Sequence, residues 1–397
     1  MPPVPSPALS ATRVPWPQIV FVYGLGVLAA ATLGRFAGLI PLLQRELGLS
    51  LTLAAGLTSL IEASGALFGF VAGMAVGRIG ARASLIAGTA ILAVAGAGQA
   101  LAGDAGALMG WRAAESLGYL AITVAAPTLI TALAGRAGRD AAMALWSTFV
   151  PVGLAIGTAL AAPLAEALSW RAVPLAGAAA ALLLTVAGLR LRPPAAAGAD
   201  RSPAPAAGAD GAPSPALWLT AFGFGLYALV GVGVLALTPG FLVDRFGLDA
   251  TAAGLAAAVA SLANIPGSMV AATALARGVP PLRLAAFGLV VPGAFALAAF
   301  IGAGQWMTAA AAIVGLNAVA GIAPAVLFGR IPVLAKGPRG VALGNGLIAQ
   351  FGASGSMIGP PLIAAAVSFA GWWVAGLIAA ALSLLAALAV LASGRVR

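Results

Sequence analysis

Runs of about 20 apolar residues, enough for a helix to cross the hydrocarbon of a bilayer, recur along the whole chain. Twelve are read, at 17–41, 52–76, 83–102, 106–133, 141–165, 171–190, 216–241, 251–275, 284–303, 306–331, 341–366 and 370–393. Most connections are short and hold Gly, Pro, Arg or Asp, which predicts antiparallel neighbours. The expected fold class is an all-α membrane protein with twelve transmembrane helices. One connection differs. Residues 191–215, LRPPAAAGADRSPAPAAGADGAPSP, show no periodic apolar face and read as a flexible, solvated linker. It separates an N-terminal unit, 1–190, from a C-terminal unit, 216–397.

The two units match each other at a constant offset of 199 residues. Gly48-Leu49 pairs with Gly247-Leu248, Thr52 with Thr251, Arg78 with Arg277, Gly138 with Gly337 and Gly153 with Gly352. Ser169-Trp170 pairs with Ser368-Phe369, and Ala176-Gly177 with Ala375-Gly376. Single identities mean little in an Ala/Gly-rich chain, but one offset from the first loop to the last helix is harder to dismiss. Two pseudo-symmetric six-helix bundles joined by a linker are a standard transporter plan, with solute bound near mid-membrane between them.

Composition agrees with this reading. Hydrophobic residues are 62% of the chain, charged residues 8%, and the mean hydropathy is +1.07. No soluble domain of this length hides so much apolar surface. The 53 glycines and 27 prolines suit membrane helices, where neighbours satisfy the freed backbone groups. The net charge of +10 is spread over short loops and forms no nucleic-acid patch. With neither cysteine nor histidine, disulfides, thiolate chemistry and the usual zinc or haem sites are excluded; no cofactor or metal is expected. The first fifteen residues, with Arg13 as their one charge, do not resemble a cleavable signal peptide. Fourteen Lys and Arg residues fall on one side of the predicted helices (Arg13, Arg78, Arg82, Arg136, Arg139, Arg190, Arg192, Arg201, Arg277, Arg283, Lys336, Arg339, Arg395 and Arg397). Three (Arg45, Arg171 and Arg245) fall on the other. This asymmetry predicts cytoplasmic termini and linker in a multi-pass protein of a bacterial-type inner membrane.

Five ionisable side chains, Arg35, Glu62, Arg112, Glu115 and Arg330, interrupt or end the apolar stretches. Charge in hydrocarbon is costly, so such residues usually face protein or a watery path. On the fourth helix Arg112, Glu115, Tyr119 and Thr123 are spaced by three, four and four residues and form one polar stripe. At about 1.5 Å of rise per residue, Arg35 and Arg112 lie about 9 Å below the outer surface, with Glu62 and Glu115 near the midplane. Arginine offers a planar fork of donors for oxyanions and keeps its proton. A carboxyl group in a low-dielectric setting can carry a proton. The expectation is a cavity in which Arg35 and Arg112 hold a small anion while Glu62 or Glu115 couples a proton. The competing expectation is that Arg112 and Glu115 neutralise each other and Arg35 pairs with Glu62.

Elsewhere the signals are fainter. Arg330 is expected to snorkel at the cytoplasmic end of the tenth helix. The C-terminal half offers Tyr227 and the amides Asn264, Asn317, Asn345 and Gln350, and amides commonly bond helix to helix. Tyr227, Asn317 and Gln350 are also candidates for solute contact, and Trp146 could close one side of a cavity. Gly153/Gly157 and Gly355/Gly359 have the spacing that lets helices approach closely.

Two motifs carry a family resemblance. The loop after the second helix reads Gly73-Met-Ala-Val-Gly77-Arg78-Ile79-Gly80-Ala81-Arg82. It resembles the G-x-x-x-D-R-x-G-R-R signature of the major facilitator superfamily, with Gly77 in place of the acid and Ala81 in place of one arginine. The resemblance implies a cytoplasmic gate built on Gly73, Arg78, Gly80 and Arg82, and the missing acid puts the usual charge relay of that gate in doubt. In the fourth helix, Leu108-Met-Gly-Trp-Arg112-Ala-Ala-Glu115-Ser116-Leu117-Gly118 is similar to the family's L-x-x-x-R-x-x-Q-G-x-G motif. The fifth helix lacks the G-P-x-x-G-G pattern of drug/proton antiporters; a partial echo, Gly355-Ser-Met-Ile-Gly359-Pro360, stands in the eleventh. The stretch from Arg112 through Ala126-Pro127 resembles the branch holding cyanate and 2-nitroimidazole permeases.

The expected function is secondary transport of a small solute, an organic or inorganic anion, by alternating access with proton coupling. The alternative is a drug/proton antiporter exporting lipophilic compounds. A membrane-embedded enzyme would need a nucleophile–base pair or a metal, and no motif supplies one. The expected partners are a small-molecule substrate and the lipid bilayer, with no nucleic acid. The two fused halves can complete a pathway in one monomer.

Overall fold

The computed structural model describes residues 14–36, 39, 43, 46–48, 51–191, 213–302 and 304–396, without the side chains of 51–56, 58, 59, 162, 250 and 251. Most of the linker, 192–212, lies outside this set, as do Arg13, Arg45, Arg192, Arg201 and Arg397 of the orientation count. The described residues are helical throughout, with no strand. In chain order they give α1 (Trp16–Gly34), α2 (Leu51–Ile79), α3 (Ala81–Ala100), α4 and α5 (Ala105–Ser147, then Phe149–Ala167), α6 (Ala172–Gly188) and α7 (Pro215–Phe246). There follow α8 (Ala250–Leu262 and Asn264–Ala276), α9 (Pro281–Leu297 with a π-turn, Ala298–Gly302), α10 (Trp306–Ala320 and Ile322–Leu334), α11 (Gly337–Ala370) and α12 (Trp373–Ala392).

Ala105–Ser147 is a hairpin of two helices. Gly135 leaves helical geometry at φ 60°, ψ −159°, and the Thr131 hydroxyl lies 3.9 Å from Met143 Sδ. Twelve residues of unbroken helix would hold them about 18 Å apart. Thus α4 ends at Gly135 and α5 returns from it. Ten described stretches are long and apolar enough to span a bilayer. The hairpin divides one of them, and the shorter apolar Ala172–Gly188 adds a further pass, which gives the twelve labels used here. Val14 lies beside Gly138, and Gly394 beside Leu282, so both chain ends reach one face, the terminal face.

Local chemistry fixes the helix ends. Asp104, Ser214 and Asp249 cap α4, α7 and α8 by accepting from the backbone N–H of Ala107, Leu217 and Ala252, which satisfies donors the first turn leaves open. Gly48 (φ 62°) and Gly247 (φ 68°) turn the chain after α1 and α7, a conformation that favours glycine, and they are the first pair of the sequence repeat. Small residues then set the packing: Gly153 and Gly157 of α5 press on Ala30 and Ala31 of α1, while Gly355 and Gly359 of α11 press on Gly225 and Leu229 of α7. Outside, Leu67, Val94, Leu160, Leu183, Leu255 and Met269 are each more than half exposed, an apolar exterior that needs lipid around it.

Candidate functional site

A cavity of about 670 Å³ lies between the two halves. Its walls come from α1, α2, α4 and α5 on one side and α7, α8, α10 and α11 on the other. It runs from Phe328, Asn345 and Ile348, nearer the terminal face, to Leu33, Leu235 and Pro361 toward the opposite face. Between it and the terminal face the halves are in close contact.

The seal is a seam between α2 and α11. Gly65, Gly69, Gly73 and Gly77 recur at every fourth residue and so form one ridge of α2, about 18 Å long. A Cβ on Gly69 would lie 2.6 Å from the Gln350 backbone nitrogen, and one on Gly73 2.9 Å from Leu343 Cα. Only glycine permits this approach. Two hydrogen bonds cross the same seal: the Phe70 N–H donates to Gln350 Oε1 at 2.9 Å, and Asn345 Nδ2 donates to Thr128 Oγ1 at 2.9 Å. The gate residues read from sequence divide here. Gly73 packs in the seam, Gly80 turns the α2–α3 loop at φ 96°, and Arg82 donates to the Leu189 carbonyl at the end of α6 at 2.7 Å. Arg78 is exposed. A Cβ on Gly77 would stand 3.4 Å from Arg339 Cα, so an acid there would adjoin a cationic residue of the other half.

The buried charges form a separate group. Arg35, at the C-terminal end of α1, donates from Nη2 to Glu115 Oε1 at 2.5 Å and to Gln99 Oε1 at 2.6 Å. Arg112 donates from Nη1 to Glu115 Oε2 at 2.5 Å and from Nε to the Leu57 carbonyl at 2.8 Å. Gln99 Nε2 donates to the same carboxylate at 3.0 Å. Both guanidinium groups lie against the Phe36 ring, 5.3 and 4.9 Å from its centroid. Arg112, Glu115 and Gln99 are wholly buried, and Arg35 is 5% exposed. One carboxylate thus holds two guanidinium groups among α1, α2, α3 and α4.

Arg35, Arg112 and Glu115 do not line the cavity. The pairing of Arg112 with Glu115 follows from their spacing, but Arg35 joins that pair and not Glu62. The polar stripe of α4 is divided: Arg112 and Glu115 turn into the N-terminal bundle, while Tyr119 and Thr123 face the cavity. Glu62, partly exposed, is the one ionised-type side chain among the described lining residues; no Lys, Arg or Asp accompanies it.

Of the other candidates, Tyr227 and Asn317 line the cavity. Asn264 Nδ2 donates to Tyr227 Oη at 3.3 Å and to the Asn317 carbonyl at 3.4 Å. It sits at the break in α8, opposite the break in α10, where the Ser268 hydroxyl donates to the Gly321 carbonyl at 2.9 Å. Gln350 belongs to the seam and Trp146 to the core, stacked on Phe149 at 4.1 Å; neither is a lining residue. Arg330 is buried and donates to Ser393 Oγ at 3.1 Å, so it is held within the bundle instead of snorkelling. The sequence reading missed Gln99 and the α2 glycine ridge. The signals were there: a lone amide inside an apolar helix, and glycine at every fourth position.

No curated protein matches the chain in sequence. Among solved structures, the human organic anion transporter MFSD10 (TETRAN) superposes with a TM-score of 0.74 at 18% identity, covering 95% of this chain and 99% of that one. A form of the E. coli fucose:proton symporter FucP gives 0.75 at 17% identity, covering 96% and 99%. FucP in the outward conformation gives 0.74 at 16% identity, covering 94% and 98%. At such identities the likeness is one of fold, and it lends nothing to the cyanate and 2-nitroimidazole permease branch that α4 resembles. The profile of the Major Facilitator Superfamily matches residues 19–344; with that match over most of its length, the chain belongs to this superfamily and is a transporter, not an enzyme.

Proposed function

We propose that the chain is a secondary transporter that carries a small solute across the inner (cytoplasmic) membrane by alternating access, coupled to a proton through Glu62. One observation carries this reading: a cavity between the two halves, closed off from the terminal face by the α2–α11 seam, with a single carboxylate in its described wall. Such a site can be offered to either side if the seam and the opposite ends part in turn. The excess of Lys and Arg on the terminal face supports placing that face in the cytoplasm. Both walls come from one chain, which supports a monomeric unit.

The chain has no cysteine, so a thiol introduced as Ser356→Cys on the cavity wall would be the sole reporter. In oriented membrane vesicles it should react with an impermeant maleimide from both faces, in proportions that change with pH. Labelling from one face under every condition would end the reading.

An anion remains the second reading, favoured by the net positive charge of the Arg35–Arg112–Glu115 group. It requires both arginines to release Glu115 and turn into the cavity. Arg35→Gln and Arg112→Gln would then abolish uptake of a small anion in proteoliposomes, and undiminished uptake in both would remove it.

A further inference from the structure

We infer that the terminal-face end of the C-terminal half binds an anionic phospholipid, its phosphate held by Arg330 with Arg283 and Arg395 and its acyl chains lying along α9 and α12. The site stands apart from the central cavity and does not depend on which solute that cavity carries.

Arg330 is the residue that calls for a ligand. It lies four residues before the end of α10, about 6 Å of rise, and is 9% exposed. Its Nη2 donates to Ser393 Oγ, at the end of α12, at 3.1 Å. Its Nη1 is buried with no hydrogen-bond partner, and no ion pair among the described residues includes it. A buried cation without a counter-charge is costly, and a serine hydroxyl supplies none. The acids of the C-terminal half are Asp244 and Asp249, at the turn from α7 to α8 on the opposite face. Asp140 of α5 comes beside Gly329, but Arg330 bonds α12 instead. The missing negative charge is therefore one that the chain itself does not bring.

The surroundings fit a lipid better than a soluble anion. Gly394, directly after Ser393, packs on Leu282 of α9. Arg283 and Arg395, both exposed, stand one residue beyond each side of that contact. Guanidinium groups from α9, α10 and the end of α12 thus collect at one edge of the half. Guanidinium pairs with phosphate through two parallel donors, and basic pockets between helices at the membrane surface hold lipid head groups. From this edge α9 and α12, packed together at Gly293 and Ala380, turn Phe287, Val290, Leu384, Leu388 and Leu391 outward, each more than a third exposed. These side chains give acyl chains an apolar surface to lie against. A free phosphate would use the charges alone, whereas a phospholipid uses both parts of the site.

Phosphatidylglycerol and phosphatidylcholine share a phosphate and differ in net charge, so they isolate the requirement. Native mass spectrometry of the purified full-length protein should show phosphatidylglycerol bound roughly tenfold or more tightly than phosphatidylcholine, and nanodiscs of the former should raise the melting temperature. Arg330→Gln should remove that preference. The double variant Arg283→Gln/Arg395→Gln should remove it too, and it keeps the buried residue in case the first variant fails to fold. Arg136→Gln/Arg190→Gln takes the same charge from elsewhere on the terminal face and should leave the preference intact. Equal binding of the two lipids, equal losses in the two double variants, or displacement of phosphatidylglycerol by excess inorganic phosphate would overturn the assignment. The Ser356→Cys labelling is a separate measurement, so the transport reading stands or falls without this one.

Discussion

Between α1 and α6 the buried hydroxyls are joined by an ionic group, Arg35, Arg112 and Glu115 with Gln99, and the partly exposed Glu62 stands on the cavity wall. Between α7 and α12 the polar groups that bond within the half are amides and hydroxyls, Asn264, Asn317, Tyr227 and Ser268, with Arg330 set nearer the terminal face. Yet the two halves share their packing, since glycines of α5 press on α1 where glycines of α11 press on α7. The backbone repeat has been kept while the polar chemistry has diverged. A buried ion pair is expensive to break, whereas a neutral hydrogen bond nets about 1 kcal/mol and can be exchanged for one to a solute. The N-terminal half is thus built to hold its shape and a single charge, and the C-terminal half to accommodate.

The largest effect is expected from Glu115→Gln. It leaves two buried guanidinium groups without their counter-charge, a loss of about 3–5 kcal/mol that thermal unfolding in detergent would register. A loss no greater than that of a C-terminal amide would break the contrast. Next comes Gly69→Val at the boundary between the halves. Its side chain meets the Gln350 backbone, and overpacking of about 1–3 kcal/mol acts only while the seam is closed. Reactivity of a Ser356→Cys thiol from the terminal face should rise roughly tenfold; unchanged reactivity would show that the seam is not what seals the cavity. The smallest belongs to Asn264→Ala, which removes two long bonds. It should lower stability by about 1 kcal/mol or less in the same melting experiment, and a larger cost would mean that the C-terminal half is braced after all.

Much of this was legible in the chain and some was not, for physical reasons. Apolar runs mark bilayer-spanning helices because the bilayer sets their length. The i, i+3 spacing of Arg112 and Glu115 announces their pair. Nothing local tells Arg35 to seek Glu115, 80 residues on, in preference to Glu62, because that choice is made by how α1 and α2 rotate against α4. A helical wheel likewise groups Arg112 with Tyr119 on one face, but that face is broad enough to border both the bundle interior and the cavity. Gln350 read as a solute contact because depth can be estimated from sequence and azimuth cannot; its rotation sends the amide to the Phe70 N–H.

The Glu115 carboxylate also has a mechanical meaning. Arg35, Gln99 and Arg112 reach it from α1, α3 and α4, and Arg112 extends the tie to the Leu57 carbonyl of α2. Four helices are cross-braced at one oxygen pair, out of contact with whatever occupies the central space. Sliding one of them alone would strand charge in a dry interior, so the carboxylate ties the positions of all four helices to one another.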